Sequence, residues 1–210
     1  MLNYLNQIPT VSKFWLIGSV LVSTLVQVNV ISPLNLYFSF HSAFINNQPW
    51  RILTTFFYFG DISIDLFLHL FFFVRYSRML EEEQFASNKA DYVWSLIVMS
   101  TMLLAMSPLI NLPFLSSALS SALVYIWARS HPNAHIGLLV FIIRASYLPW
   151  AIVLLSWLIT GRATAATTEL AGIVVGHLWY FSKTIWPKEL AAKGKPLLPT
   201  PRILTELLNN

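Results

Sequence analysis

Between residues 14 and 181 the chain alternates apolar runs with short gaps that hold charge or proline. That alternation constrains the fold more than any other feature, because a backbone crossing lipid must satisfy its own polar groups, as only helices and closed barrels can. The runs are of helical length and lack the dyad alternation of barrel strands. Hydrophobic residues make up 56% of the 210 and charged residues only 10%, against about 25% charged in soluble domains. The expected class is an all-α polytopic membrane protein. Six spans are predicted, over 14–31, 62–79, 92–107, 113–128, 147–160 and 168–181. The first is too long for the apolar core of a cleaved signal and lacks a small-residue cleavage site, so it reads as a retained span.

The basic residues orient this bundle. Lys13, Arg75, Arg78, Lys89, Arg129, Lys183, Lys188, Lys193, Lys195 and Arg202 fall on one side of the six spans, whereas Arg51 and Arg162 fall on the other. Arg144 lies near the start of span five, where snorkelling explains it. By the positive-inside rule both termini are cytosolic. The net charge of +4, which in a soluble protein would suggest nucleic acid, is here a topology determinant and implies no nucleic-acid partner. The chain has no cysteine, which excludes disulfides and thiolate metal sites. Residues 1–186 are expected to form one membrane domain, with a first lumenal loop over about 32–61. Residues 187–210 are expected to form a short, mobile cytosolic tail. A sixteen-residue span covers roughly 24 Å against a hydrocarbon core of about 30 Å, so a bundle of this kind thins the bilayer or buries its polar ends in protein.

Polar residues within the apolar runs mark candidate sites. Asp61, Asp65 and His69 recur every four residues, the spacing of one helical stripe. Two readings stand: a hydrophilic cavity open to one leaflet, or a structural hydrogen-bond cluster at the end of span two. The stripe alone has too few ligands for a metal. Trp50-Arg51 puts an indole and a guanidinium at a membrane boundary, suited to lipid contact or to bracing the loop. Gly172 and Gly176, four apart and followed by His177, form a close helix-packing signature. After span two, Arg78 precedes Glu81-Glu82-Glu83, an acidic run suited to tethering the loop or to plain solvation.

In order and at matching spacing, the chain shows Trp50-Arg51, Tyr76-Ser77-Arg78-Met79-Leu80-Glu81, Ala90-Asp91-Tyr92, Leu123-Val124-Tyr125-Ile126-Trp127-Ala128, Tyr147-Leu148-Pro149-Trp150 and Gly172-Ile173-Val174-Val175-Gly176-His177. Over nearly its whole length it resembles the derlins, catalytically inactive relatives of rhomboid proteases. The resemblance implies a rhomboid-like six-helix transmembrane bundle in the endoplasmic-reticulum membrane, with Glu81 bracing the loop after span two. It implies pseudo-catalytic positions at Ser117 and Glu169. Rhomboids carry the catalytic histidine three residues before the first glycine of the span-six motif, where this chain has Glu169, and no glycine stands near Ser116, Ser117, Ser120 and Ser121. His177 lies eight residues further on, roughly 12 Å along a helix.

The family implies a non-enzymatic, cofactor-free factor of endoplasmic-reticulum-associated degradation that aids retrotranslocation of misfolded lumenal or membrane proteins. Its implied partners are a membrane-embedded ubiquitin ligase complex, the membrane lipid and, indirectly, a hexameric AAA ATPase, and the sequence is compatible with an oligomer. Residues 195–202 do not resemble the ATPase-binding segment of long-tailed derlins, so the chain is similar to the short-tailed fungal members. A small-solute or ion transporter would use the same Asp65 and His69, but paired inverted halves are not evident. An active intramembrane serine protease is opposed by Glu169 and by the missing glycine.

Overall fold

The computed structural model describes residues 8–86, 88–138, 141–189 and 197–208. The chain is mostly helical, and a long helix lies at each of the six predicted places: α1 (Thr10–Gln27), α2 (Ile64–Met79), α3 (Lys89–Ile110), α4 (Ser116–Ser130), α5 (Leu148–Thr160) and α6 (Ala163–Tyr180). Their ends follow local chemistry. The Ser63 hydroxyl accepts a hydrogen bond from the Leu66 amide at 3.3 Å and starts α2; the Asn88 side chain does the same for Asp91 and starts α3. Asn111 at φ 52° ends α3, and Gly161 at φ 63° ends α5, both in the left-handed region that unwinds a helix terminus.

Several of the predicted boundaries shift, the sixth helix starting at Ala163, five residues before its predicted span, and the fourth at Ser116, three residues inside its own. The first helix begins and ends four residues earlier than the apolar run, because Pro9 sets its start and Asn29, at φ 58°, turns the chain out of it. The third runs through Pro108 to Ile110, a proline near the helix end being tolerated there. An antiparallel hairpin that the apolar pattern did not reveal, β1 (His135–Leu138) with β2 (Phe141–Arg144), joins α4 to α5. It puts Arg144 opposite His135 in a strand pair, before α5 begins.

By length and composition only α1 and α3 suffice to cross a bilayer, among the described residues. Helices α2, α4 and α5 have 16, 15 and 13 residues, and α6 carries Thr164, Thr167, Thr168, Glu169 and His177. At 1.5 Å per residue α5 spans roughly 20 Å.

Helix α4 is the hub. Ala118, Leu119, Ala122, Leu123 and Val124 are wholly buried, and the helix touches α2, α3, α5 and α6. Its closest neighbour is α6. Helix α1 lies to one side, where Trp15 stacks on Phe57 at 4.8 Å and donates to the Phe56 carbonyl at 3.2 Å. The tail is docked, in contrast to the mobility expected of it: a short helix, Arg202–Leu208, packs against α3. Lys193 and Lys195 lie outside the described residues.

Candidate functional site

The α4–α6 contact fixes everything around it. Gly172 faces Ala118, and a Cβ built on it would overlap the Ala118 carbonyl oxygen and stand 2.8 Å from the carbonyl carbon. Four residues on, a Cβ on Gly176 would lie 2.8 Å from the Ala122 carbonyl oxygen. The two glycines thus admit the α4 backbone itself, as their spacing predicts. His177, next in sequence, is exposed and its Nδ1 is 2.7 Å from the Tyr125 hydroxyl of α4.

Glu169 precedes Gly172 by three residues and therefore meets α4 on the same face. It is buried, and the Ser121 hydroxyl donates to its Oε2. Its other oxygen, Oε1, faces His69 Nδ1 of α2 at 3.5 Å. His69 Nε2 lies 3.3 Å from Asp65 Oδ1, one turn earlier on α2. A line Asp65–His69–Glu169–Ser121 therefore crosses from α2 through α6 to α4. A buried carboxylate costs several kcal/mol, on the order of 3–5, when left without partners, and this line supplies them.

Asp65, His69 and Glu169 of this line also line an open cavity of about 740 Å³. Its walls come from the loop before α2, the start of α4, the end of α5 and the start of α6, with Tyr58, Asp61, Ser117, Ser156, Arg162 and Thr168 among the lining residues. Asp61 is not on the α2 stripe: Gly60 at φ 116° and the Ser63 cap place it in the preceding loop. It still lines the cavity, accepting from the Tyr58 hydroxyl at 2.7 Å. Burial, and then the Asp61 bond, push the Tyr58 hydroxyl up from its ordinary value near 10, so it stays a donor at neutral pH. Three carboxylates, an arginine and a histidine set between two of the carboxylates make this space polar and charged.

The hydroxyl that engages Glu169 is Ser121, one turn beyond Ser117, which lines the cavity above it. Ser116 donates to the Tyr58 carbonyl at 2.5 Å. Both His69 ring nitrogens face carboxylates rather than a serine, unlike the serine–base pairing of a hydrolytic triad. Among the described residues, no group of three or more His, Asp and Glu is arranged to hold a metal.

The other predicted residues lie apart from the cavity. Arg51 is buried and ties the first loop together: Nε donates to Gln48 Oε1 at 2.6 Å, and Nη1 to the Leu34 and Tyr37 carbonyls at 2.5 and 2.8 Å. Trp50 is half exposed. Arg78 and Glu81 have different partners. Arg78 holds Glu82 at 3.0 Å on the surface, whereas Glu81 is buried and accepts from the Val11 and Ser12 amides at 3.3 and 3.2 Å and from the Ser12 hydroxyl at 2.9 Å. Glu81 braces the start of α1, not the loop that follows it. A carboxylate there also complements the positive end of the helix.

A family model described as the Der1-like family matches residues 8–202, the whole of this arrangement. The chain belongs to the Der1-like family. Its similarity extends to a probable derlin-2 homolog of Dictyostelium discoideum, 34% identical over 215 residues, covering 99% of this chain and 82% of that protein. It is 35% identical to Derlin-1.1 of Zea mays over 202 residues, 95% of this chain and 81% of that one. With Derlin-2.2 of Arabidopsis thaliana the identity is 30%, over 96% and 85% of the two chains. In this Der1-like chain, sequence marked Ser121 only as one of the span-four serines and Arg162 only as an orienting charge, and did not mark Tyr58. The spacing of Glu169, Gly172 and Gly176 was the available signal for Ser121, since it places the carboxylate on the face that meets α4.

Proposed function

We propose that this Der1-like protein is a non-enzymatic factor of endoplasmic-reticulum-associated degradation that eases misfolded proteins back toward the cytosol. It sits in the endoplasmic-reticulum membrane as a six-span rhomboid-like bundle, residues 1–186, with both termini and the tail 187–210 in the cytosol. The single observation that carries this reading is the 740 Å³ polar cavity walled by Tyr58, Asp61, Asp65, Ser117 and Glu169 within an apolar helical protein. A polypeptide in lipid leaves its backbone groups unsatisfied at several kcal/mol each, on the order of 2–7. A cavity offering carboxylates, hydroxyls and water lowers that cost, and short helices such as α5 thin the bilayer beside it.

In this orientation the cavity opens toward the lumenal leaflet, and the lysine-bearing end of α6 faces the cytosol. The cavity is thus half of a path, which a membrane-embedded ubiquitin ligase complex completes and an AAA ATPase, recruited through that complex, draws upon. The test is turnover of a misfolded lumenal reporter in cells lacking this protein. Wild-type chain restores turnover, and Asp65→Leu with His69→Leu slows it several-fold at equal abundance. Normal turnover with the doubly substituted chain refutes a role for the cavity.

A further inference from the structure

We infer that Thr200 is a phosphorylation site for a proline-directed kinase, and that its modification unlatches the docked tail from α3. This rests on the cytosolic tail proposed above. Asp91 stands in the first turn of α3, its amide held by the Asn88 side chain at 3.3 Å. Its Oδ2 accepts from Lys183 Nζ at 3.0 Å, in the turn after α6, and its Oδ1 accepts from the Thr200 hydroxyl. One carboxylate thus joins the start of α3, the end of α6 and the tail. Among the described residues, the tail is also held by the Leu197 amide donating to the Ser182 carbonyl at 3.4 Å, by Leu198 packed against the apolar core and by Arg202–Leu208 lying against α3. Ile203 and Leu207 on that helix point outward and are 71% exposed, so it is shallowly seated.

Thr200 is only half-buried and is followed by Pro201, whose backbone has no N–H to donate. A threonine followed by proline is the minimal element that proline-directed kinases recognise. In the transfer, the Thr200 Oγ1–P bond forms as the bond between the γ-phosphorus of ATP and its bridging oxygen breaks. ADP leaves, and the hydroxyl proton passes to the kinase base. The product has lost the donor that Asp91 used. In its place stands a group of charge about −1.5 to −2 with only acceptor oxygens at neutral pH. Lys183 is shared between two anions, and the clasp reverses sign.

The test uses the full chain in detergent micelles, phosphorylated in vitro by a proline-directed kinase, with amide hydrogen exchange read over residues 197–208. Exchange there rises about tenfold on phosphorylation and in Thr200→Val, consistent with loss of one charge-assisted bond, while Thr200→Ser, which keeps the hydroxyl, stays at the wild-type rate. Exchange in α4 stays unchanged in every case, separating tail release from unfolding. Unaltered exchange after complete phosphorylation, or a folded chain that the kinase cannot modify, overturns the inference. In sealed microsomes the externally added kinase modifies Thr200 without detergent. A requirement for detergent, with the micelle response intact, instead places the tail in the lumen; that overturns kinase access and the proposed topology together, and leaves the clasp geometry standing.

Discussion

Replacing Gly172 by alanine probes the contact on which the cavity depends. The added methyl falls on the Ala118 carbonyl of α4, and its nearest side-chain neighbour, Ser121 Cβ, is 2.9 Å away. Neither is the loose end of a flexible chain, so α4 and α6 must separate. Overpacking of this kind costs about 3 kcal/mol, and the better helix propensity of alanine returns about 1, leaving a net loss near 2 kcal/mol. For a chain of this size that is a fall in Tm of about 4–8 °C. At Gly176 the methyl meets Ala122 O at 2.8 Å and Tyr125 Cβ at 3.2 Å, so Gly176→Ala is the milder change, within about 1 kcal/mol of neutral. Thermal unfolding of both variants in detergent, followed by tryptophan fluorescence, gives the comparison. Because Glu169 lies one turn from Gly172, the splayed variant also slows reporter turnover. A Tm for Gly172→Ala equal to or above wild type, or Gly176→Ala the worse of the two, refutes the backbone-contact account.

Glu81→Ala leaves the Val11 and Ser12 amides and the Ser12 hydroxyl without their acceptor and is expected to cost about 2–3 kcal/mol; faster hydrogen exchange at residues 11 and 12, smaller in Glu81→Gln, reads it out. Arg51→Ala frees the Leu34 and Tyr37 carbonyls and loosens the first loop by about 1–3 kcal/mol, whereas exposed Trp50→Ala leaves exchange over residues 34–37 unchanged. If both substitutions loosen the loop equally, the separate roles assigned to the pair are wrong. Replacing Ser116, Ser117, Ser120 and Ser121 together by alanine is expected to remove no proteolysis, because both His69 ring nitrogens face carboxylates rather than a serine. Serine-dependent cleavage of a helical-span substrate contradicts the non-enzymatic reading.

The helices were legible because lipid demands long apolar runs, and the run boundaries lie within a few residues of the observed ones. Gly172 and Gly176 were legible because four-residue spacing alone places them on one face. The cavity was half legible: Asp65 and His69 do share a stripe, but Asp61 leaves it at Gly60, whose positive φ no periodicity reports. The partners of Glu81 were not legible, since Ser12 is 69 residues away and the neighbouring Arg78 offers a nearer, misleading partner. The hairpin at His135–Leu138 and the docking of the tail through Asp91 depend on the same kind of distant pairing.

The central claim is that polypeptide passes through the polar cavity, and a photocrosslinker placed in it tests that directly. With the crosslinker at Ser117, which lines the cavity, a misfolded substrate in transit forms an adduct. The same crosslinker at Leu154, exposed on the outer face of α5, forms none, and Asp65→Leu with His69→Leu diminishes the Ser117 adduct. Adducts of equal yield at both positions, or none at Ser117 while the substrate is being degraded, contradict passage through the cavity.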